Sequence, residues 1–148
     1  MKYITAATFA LLLCACNLQQ IKRDKEPQPG ILEVQRLADE AYDNDDYANS
    51  EKYYLQLTEK VPKEARNWFR LGNVFARTER PNLAIKAYQE ALLRDPKQSK
   101  AWYNMGLLYL RQSANSFINL QTYVPEQDPL SQRGKQIYEE ITGILDGK

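Results

Sequence analysis

One apolar pattern returns in this chain at a constant interval, and no other feature of the sequence restricts the fold as strongly. Its fullest copy occupies residues 68–96. Apolar residues at three- and four-residue spacing share one face of a helix, and the first such face comprises Trp68, Leu71, Gly72 and Phe75. The second face follows segment 78–82 and comprises Ala84, Ala87, Tyr88, Ala91 and Leu92. Residues 68–96 therefore predict two helices joined by a short turn.

A shift by one such interval superimposes this copy on the sequence at either side of it. Toward the C-terminus, the shift places Trp68 on Trp102, Leu71 on Met105, Gly72 on Gly106 and Phe75 on Tyr109. Toward the N-terminus, it places Leu71 on Leu37, Gly72 on Ala38, Phe75 on Ala41, Tyr88 on Tyr54, Ala91 on Leu57 and Pro96 on Pro62. A single hairpin cannot bury its apolar face, whereas stacked hairpins can, so the repetition predicts a stack.

The period of about 34 residues and the motif W-x2-L-G-x2-[FY], followed by A-x3-Y-x2-A and a proline, resemble the tetratricopeptide repeat. The resemblance covers about residues 31–145 and implies an all-α solenoid of antiparallel helical hairpins. We expect the domain to span residues 31–148, with units at 31–64, 65–98 (complete) and 99–127 (degenerate), and a capping helix at 128–146.

The first repeat can be assigned in more detail. Its inward residues are expected to be Leu37, Ala38, Ala41, Tyr53, Tyr54 and Leu57. The acidic cluster 43–46 is expected to close the first helix and cap the next, because Asp and Asn accept hydrogen bonds from free helical N–H groups. A calcium loop would need a glycine and a distal glutamate that this cluster lacks. The second helix is predicted over residues 47–60.

The third unit departs from the pattern. No Gly or Pro interrupts residues 107–124, and residues 113–115 give only a weak turn signal. A nearly continuous apolar stripe crosses the segment at Trp102, Met105, Tyr109, Ser113, Phe117, Leu120 and Val124. The sequence favours one long helix here, with a hairpin as the alternative. Terminal units of solenoids are often atypical because they cap the stack.

The end of the chain predicts one further helix. Asp128 followed by Pro129 has the form of an N-cap and a first helical residue. The apolar face of this helix is expected to comprise Leu130, Ile137, Tyr138, Ile141, Ile144 and Leu145.

The two tryptophans of the repeats, Trp68 and Trp102, are expected to be core residues. A platform on which a sugar or a base stacks is the alternative.

The N-terminus predicts export. Lys2 precedes a short apolar run, which is too short for a membrane-spanning helix of about 20 residues and suits a signal peptide at 1–15. The segment Leu13-Cys14-Ala15-Cys16 resembles a bacterial lipobox. This resemblance implies a lipid on Cys16 and cleavage before it. Acylation of Cys14 and an ordinary signal peptide are the alternatives.

The residues after Cys16 bear on where the domain would lie. Asn17 is not the aspartate that resembles an inner-membrane retention signal, which favours the periplasmic face of the outer membrane over the inner membrane or secretion. Residues 16–30 are polar and proline-bearing without apolar periodicity, and we interpret them as a flexible tether.

Composition excludes several classes of function. Without residues 1–15 the chain has 19 Lys and Arg against 19 Asp and Glu, so it lacks the basic excess expected of a nucleic-acid binder. The sequence has no His, and both Cys lie within the first sixteen residues. We find no catalytic group of residues, no phosphate loop and no metal-binding or cofactor motif, so we do not expect an enzyme.

A second face of the repeat helices is the candidate binding site. The resemblance implies that the first helix of each hairpin lines a groove for a partner's peptide or helix. The groove residues predicted in this way are Arg66, Phe69, Arg70, Asn73, Arg77, Lys100, Tyr103, Asn104, Leu107 and Arg111. Their charge suits an acidic segment or a C-terminal carboxylate; a solvated face without a ligand is the alternative. Asp39 and Asp43 make the first-repeat end acidic.

These expectations describe a lipid-tethered interaction module without enzymatic activity. Small lipoproteins with such repeats resemble assembly or piloting factors of pili and secretion systems, so a scaffold of a cell-envelope machine is the leading hypothesis. An adaptor of peptidoglycan enzymes or of outer-membrane protein insertion is the second hypothesis. A binder of polysaccharide or of a small ligand is the third.

Overall fold

The computed structural model describes residues 29–147, and within them it contains α-helices and no strand. There are six helices in this range: α1 (Ile31–Asp43), α2 (Tyr47–Lys60), α3 (Ala65–Arg77), α4 (Pro81–Arg94), α5 (Ser99–Tyr123) and α6 (Pro129–Leu145). The prediction of an all-α fold is confirmed. The predicted signal peptide, Cys16 and residues 16–28 of the predicted tether lie outside the described residues.

Each helix packs against the next one along the chain, from α1 with α2 through to α5 with α6. This order of contacts is that of stacked helical hairpins, in which α1–α2 and α3–α4 are the two full repeats. Helix α5 is a single helix of 25 residues, so the interpretation of the third unit as one long helix is confirmed. Helix α6 begins at Pro129, and the Asp128 carboxylate accepts a hydrogen bond from the Leu130 N–H at 2.7 Å, as the predicted N-cap requires.

The two hairpin turns share one backbone conformation. Asp45 and Glu79, which hold equivalent positions in successive repeats, both have a φ of 57°, a left-handed value that few residues other than glycine adopt. Asp46 then caps α2 by accepting a hydrogen bond from the Asn49 N–H at 3.2 Å. The third copy of this turn position is Ser113, which lies inside α5 and donates its hydroxyl proton to the Tyr109 carbonyl at 2.9 Å.

The main core follows the repeat. Tyr54 and Tyr88 hold equivalent positions, and both are buried. Gly72 provides the close approach between α3 and α4, because a Cβ atom there would lie 2.5 Å from the ring of Tyr88. The other members of this core cluster are Val34, Ala38, Leu57, Leu71, Val74, Phe75, Ala84, Ile85, Ala87, Leu92, Ala101, Met105 and Leu108. A separate group around Ala114 and Ile141 is buried between α5 and α6.

Several residues expected in the core are not buried. Trp102 is 54% exposed and Tyr109 is 43% exposed, because α5 continues as one helix and, in the described part of the chain, no second helix of the unit folds back over this face, where a Cβ atom on Gly106 would meet nothing within 4 Å. Trp68 is partly buried, and the guanidinium carbon of Arg94 lies over its ring, 4.7 Å from the ring centroid. Leu37 and Ala41 are also only partly buried, whereas Val34, not foreseen from the sequence, is fully buried.

The expected inner face of α6 is buried only in part. Leu130 is 70% exposed and Ile144 is 59% exposed, so their assignment to the inner face is wrong. Of the predicted face, Ile141 is buried, and Ile137, Tyr138 and Leu145 are partly buried. The other buried residues of the helix are Ser131 and Gly134. Gly134 allows a close approach there, since a Cβ atom would lie 2.8 Å from Leu120 and 3.3 Å from Phe117.

Candidate functional site

The predicted groove residues divide into two groups. Five of them line a single pocket of about 330 Å³, where α3 and α5 face each other: Asn73, Arg77, Asn104, Leu107 and Arg111. Four further residues complete its lining: Tyr42, Ala76, Tyr88 and Leu108. The other five predicted residues do not line it: Arg66, Phe69, Arg70, Lys100 and Tyr103. We refer to this space as the α3–α5 pocket.

Polar groups from three helices form one wall of the α3–α5 pocket. The Tyr88 hydroxyl donates a hydrogen bond to Asn73 Oδ1 at 2.8 Å. Asn104 Nδ2 donates to the same oxygen at 3.1 Å and lies 3.4 Å from the Tyr88 oxygen. Burial raises the pKa of Tyr88 to about 12, so its hydroxyl stays a neutral donor at physiological pH. Within residues 29–147, no hydrogen bond occupies the Asn73 amide nitrogen, which leaves it available to a ligand.

Two arginines border the same pocket. Arg77 and Arg111 are exposed, and in the described part of the chain neither forms an ion pair. Guanidinium groups bind carboxylates with two parallel hydrogen bonds, and such bonds are about twice as strong as neutral ones. The α3–α5 pocket therefore combines positive charge at its edge with fixed amide and hydroxyl groups on its wall. This arrangement suits a carboxylate.

Arg66 and Arg70 have a different environment. Arg66 Nη2 lies 2.8 Å from Asp39 Oδ2, and Arg70 Nε lies 3.8 Å from Asp39 Oδ1. The Tyr54 hydroxyl also donates to Asp39. Burial raises the pKa of Asp39, but the hydrogen bonds from Tyr54 and Arg66 outweigh it, and its pKa lies below the usual range. Arg70 further lies 5.3 Å from the ring of Tyr42.

These contacts change the charge of the predicted groove. The two arginines join α3 to α1 through Asp39, which balances one of their two positive charges within the molecule. Phe69 packs against Tyr88, with ring centroids 5.8 Å apart, and belongs to the margin of the core. Lys100 and Tyr103 are exposed at the start of α5. The groove is thus less cationic than its sequence indicates, and its unpaired arginines are concentrated at the α3–α5 pocket.

Four lining residues were not foreseen from the sequence, and two of them, Tyr42 and Tyr88, carry hydroxyl groups. Tyr88 was assigned to the core, and its ring is buried there, but its hydroxyl reaches the α3–α5 pocket. The only signal is that a tyrosine stands where a phenylalanine would fill the core as well. Tyr42 lies on α1, and nothing in the repeat pattern distinguishes it, since its equivalents are Ala76 and Leu110.

A larger pocket, of about 740 Å³, lies between α5 and α6. It is lined by amide and charged side chains: Gln121, Glu126, Gln127, Ser131, Gln132, Lys135, Gln136 and Glu139. Its charges are of mixed sign and no fixed hydrogen-bond network lies among them, so it offers no comparable chemistry.

Across residues 29–147 there is no group of three or more Asp, Glu, Cys or His placed to hold a metal ion. No helix in that range has the length and apolar character needed to cross a membrane.

Comparison with known proteins bears on the fold. A family model described as tetratricopeptide repeat matches residues 36–92 and 70–115. No curated protein sequence gives a significant match. The structure of the Yersinia enterocolitica type III secretion translocator chaperone SycD is similar, with a TM-score of 0.56 and 19% identity over 78% of this chain and 86% of that chain. The same chaperone in complex with a peptide of the translocator YopD gives a TM-score of 0.54 and 20% identity over 78% of this chain and 92% of that chain. At such identity the likeness shows the fold alone.

Proposed function

This chain belongs to the tetratricopeptide repeat family, and we propose that it is a protein–protein interaction module that holds an acidic or C-terminal segment of a partner protein. The α3–α5 pocket carries the proposal, because Arg77 and Arg111 border it without an ion pair in the described residues. A carboxylate between them would form charge-assisted hydrogen bonds. The SycD–YopD complex supports the proposal by analogy, since there a protein of similar fold holds a peptide.

The size of the α3–α5 pocket limits what it can hold. Its volume of about 330 Å³ is at the lower end of the range for ligand pockets, about 300–1,000 Å³. It therefore suits one acidic side chain or one chain terminus, with the rest of the segment lying along the groove. The Asn73 amide nitrogen would donate to the bound carboxylate, while Leu107 contacts apolar parts of the same segment.

The binding proposal can be tested with capture and with peptides. We expect Arg77→Glu combined with Arg111→Glu to abolish capture of the partner by crosslinking in the native host, with the helical content unchanged. Lys97→Glu combined with Lys100→Glu is the matched control, because it makes the same total change of charge outside the pocket. For the captured partner, a peptide with a free C-terminal carboxylate is then compared with its amidated form. Equal capture by the double variant and the wild type would show that the pocket is not the site.

We also propose a location. The sequence of residues 13–16 supports a lipid on Cys16, and Asn17 supports the periplasmic face of the outer membrane. Several acyl chains would give stable anchorage. In that position the module would serve the assembly of a cell-envelope machine of the pilus or secretion type.

The anchoring proposal has its own test. Cys16→Ser is expected to move the protein from the membrane fraction to the soluble fraction. Cys14→Ser is the matched control, since Cys14 would be removed with the signal peptide, and this variant is expected to stay with membranes. If the Cys16 variant still sediments with membranes, or if the Cys14 variant is released, the assignment of the lipid to Cys16 is wrong.

A further inference from the structure

Trp68 and Trp102 are equivalent residues with the same anchor. The indole N–H of Trp68 donates to the Pro62 carbonyl at 3.0 Å, and that of Trp102 donates to the Pro96 carbonyl at 3.0 Å. The donors hold equivalent positions in successive repeats, and so do the acceptors. The two rings are therefore held in the same way at equivalent corners of the stack.

In the second repeat, α4 completes the surroundings of Trp68. The guanidinium of Arg94 lies over the Trp68 ring at 4.7 Å, and Arg94 Nε donates to the Pro62 carbonyl that Trp68 also uses. The ring of Tyr88 fills the space beside Gly72, at 2.5 Å from where a Cβ atom would lie. Helix α4 thus places the ring of Tyr88 against Gly72 and, six residues later, the guanidinium of Arg94 over Trp68.

In the third unit the same surroundings are open. Nothing lies within 4 Å of a Cβ atom placed on Gly106, and Trp102 is 54% exposed. The residues equivalent to Tyr88 and Arg94 are Thr122 and Asp128, and neither lies at this place because α5 continues as one helix to Tyr123. Among residues 29–147, the Pro96 carbonyl accepts no side-chain hydrogen bond other than that of Trp102.

The open space is apolar and continuous with the core. A pocket of about 510 Å³ lies between α4 and α5, lined by Gln89, Leu92, Leu93, Trp102 and Met105. Leu92 and Met105 belong to the main core cluster, whereas Leu93 is 76% exposed. Helix α6 does not fill this space, since none of its residues lines the pocket and a Cβ atom on Gly106 would meet nothing within 4 Å. We call the exposed strip from Trp102 to Tyr109, with Leu93 beside it, the open α5 face.

We propose that the open α5 face binds an amphipathic helix of a partner protein, placed as α4 is placed on α3. The partner helix carries an aromatic residue that enters the space at Gly106. Six residues later it carries an arginine that covers Trp102 and bonds to the Pro96 carbonyl. Small residues four before and three after the aromatic allow the close approach, as Ala84 and Ala91 do in α4, where both are fully buried.

A second copy of this chain does not supply such a helix. In the whole sequence, Tyr88 is the one aromatic residue followed six positions later by an arginine. Tyr88 is 1% exposed in its own core, so a second copy would have to unfold its second repeat to offer it. The occupant is therefore a helix of a different protein. This face is distinct from the α3–α5 pocket, so the two proposals stand or fall separately.

The test uses a defined probe, a synthetic peptide with the sequence of residues 81–94, added to the full chain labelled with nitrogen-15 in mild detergent. We expect the indole N–H signal of Trp102 to shift saturably while that of Trp68 stays in place. Gly106→Ala is expected to raise the Kd about tenfold or more, because its methyl group occupies the space for the ring. The variant is not expected to disturb the fold, since its Cβ atom meets nothing within 4 Å. A peptide with alanine in place of Tyr88 is expected to bind about tenfold more weakly as well.

Several results would overturn the proposal. They are equal Kd values for the wild type and Gly106→Ala, an absence of any Trp102 shift at millimolar peptide, and a shift of Trp68 alongside Trp102, which would mean that the peptide displaces α4. Self-association of the purified chain that Gly106→Ala abolishes would identify the face as a contact between copies instead. Arg111→Glu is the control for independence: it should leave the Kd of this peptide unchanged, while Gly106→Ala should leave capture through the α3–α5 pocket unchanged.

Discussion

Replacing Gly72 by alanine should destabilise the protein, whereas replacing the equivalent Gly106 should stabilise it. Both glycines lie inside helices, where alanine is intrinsically favoured by about 1 kcal/mol. At Gly106 this gain is not opposed, because the new Cβ atom meets nothing within 4 Å. At Gly72 the new Cβ atom would lie 2.5 Å and 2.6 Å from two carbons of the Tyr88 ring. The ring or the helix must therefore move.

The magnitude at Gly72 follows from what holds the ring. Tyr88 is buried, packs against Phe69 and donates a hydrogen bond to Asn73, so the ring cannot turn aside freely. Overpacking of this kind costs about 1–3 kcal/mol, and a displaced hydroxyl loses a hydrogen bond of about 1 kcal/mol. After subtraction of the helix gain, we expect Gly72→Ala to lower the free energy of unfolding by about 1–3 kcal/mol.

The assay is urea unfolding followed by far-ultraviolet circular dichroism, with the wild type and both variants compared at equal m-values. The Gly106→Ala midpoint should rise, by an amount equivalent to about 1 kcal/mol or less, and the Gly72→Ala midpoint should fall. In thermal unfolding the same difference corresponds to about 4 °C per kcal/mol for a domain of this size. If both variants shift in the same direction by a similar amount, the reasoning about the ring of Tyr88 is refuted.

Three further substitutions have defined outcomes. Asp39→Asn should lower the free energy of unfolding by about 1–2 kcal/mol at pH 7 by weakening the contact with Arg66. Because the folded-state pKa of Asp39 is depressed, the difference in urea midpoint between the wild type and this variant should narrow from about pH 4 downward. Tyr88→Phe should lower the free energy of unfolding by about 1 kcal/mol. Between about pH 10 and the folded-state pKa of about 12, ionisation of Tyr88 in the unfolded state should lower the stability of the wild type, and the variant lacks this loss. The difference in urea midpoint between the two proteins should therefore narrow across this pH range. Asp128→Ala should cost about 1 kcal/mol, because it removes the carboxylate that caps the Leu130 N–H; chemical unfolding checks it, and no change would show that this cap does not stabilise α6.

The fold could be predicted because the repeat supplies the same information several times. The bounds of α2, Tyr47–Lys60, agree with the predicted residues 47–60, since Asp46 marks the start and Pro62 follows the end. The single helix α5 could be predicted because its sequence lacks a strong turn signal at the third turn position. In each case, local propensity and the repeat pattern agree.

Burial at Trp102 could not be read from the same pattern. The repeat position of Trp102 is a core position only when a second helix covers it, and in this chain α5 continues past that point. The inner face of α6 could be predicted only in part. Ile141 is buried as predicted, whereas Leu130 and Ile144 are exposed. The other buried residues, Ser131 and Gly134, are small or polar, and apolar periodicity does not weigh them.

Only some of the residues of the candidate site could be predicted, because its geometry depends on side-chain contacts as well as on the repeat. The first-helix positions of the repeat identify which residues can line a groove, and Asn73 and Asn104 do meet across it. The pairing of Arg66 with Asp39 joins residues 27 positions apart, and which partner an exposed arginine chooses depends on side-chain reach. The hydroxyl of Tyr88 was overlooked because one side chain serves both the core and the pocket.

Helix α5 also determines how the molecule can come apart. In most solenoids each unit contacts only its neighbours, so local opening can stop at the boundary between two units. Here the boundary falls inside a continuous helix, whose N-terminal half contributes Met105 and Leu108 to the main core and whose C-terminal half holds α6 near Gly134. Opening of the end unit must therefore break α5 in its middle or carry the second repeat with it. In amide hydrogen exchange, a ligand on the first half of α5 would slow exchange in α6 without touching it.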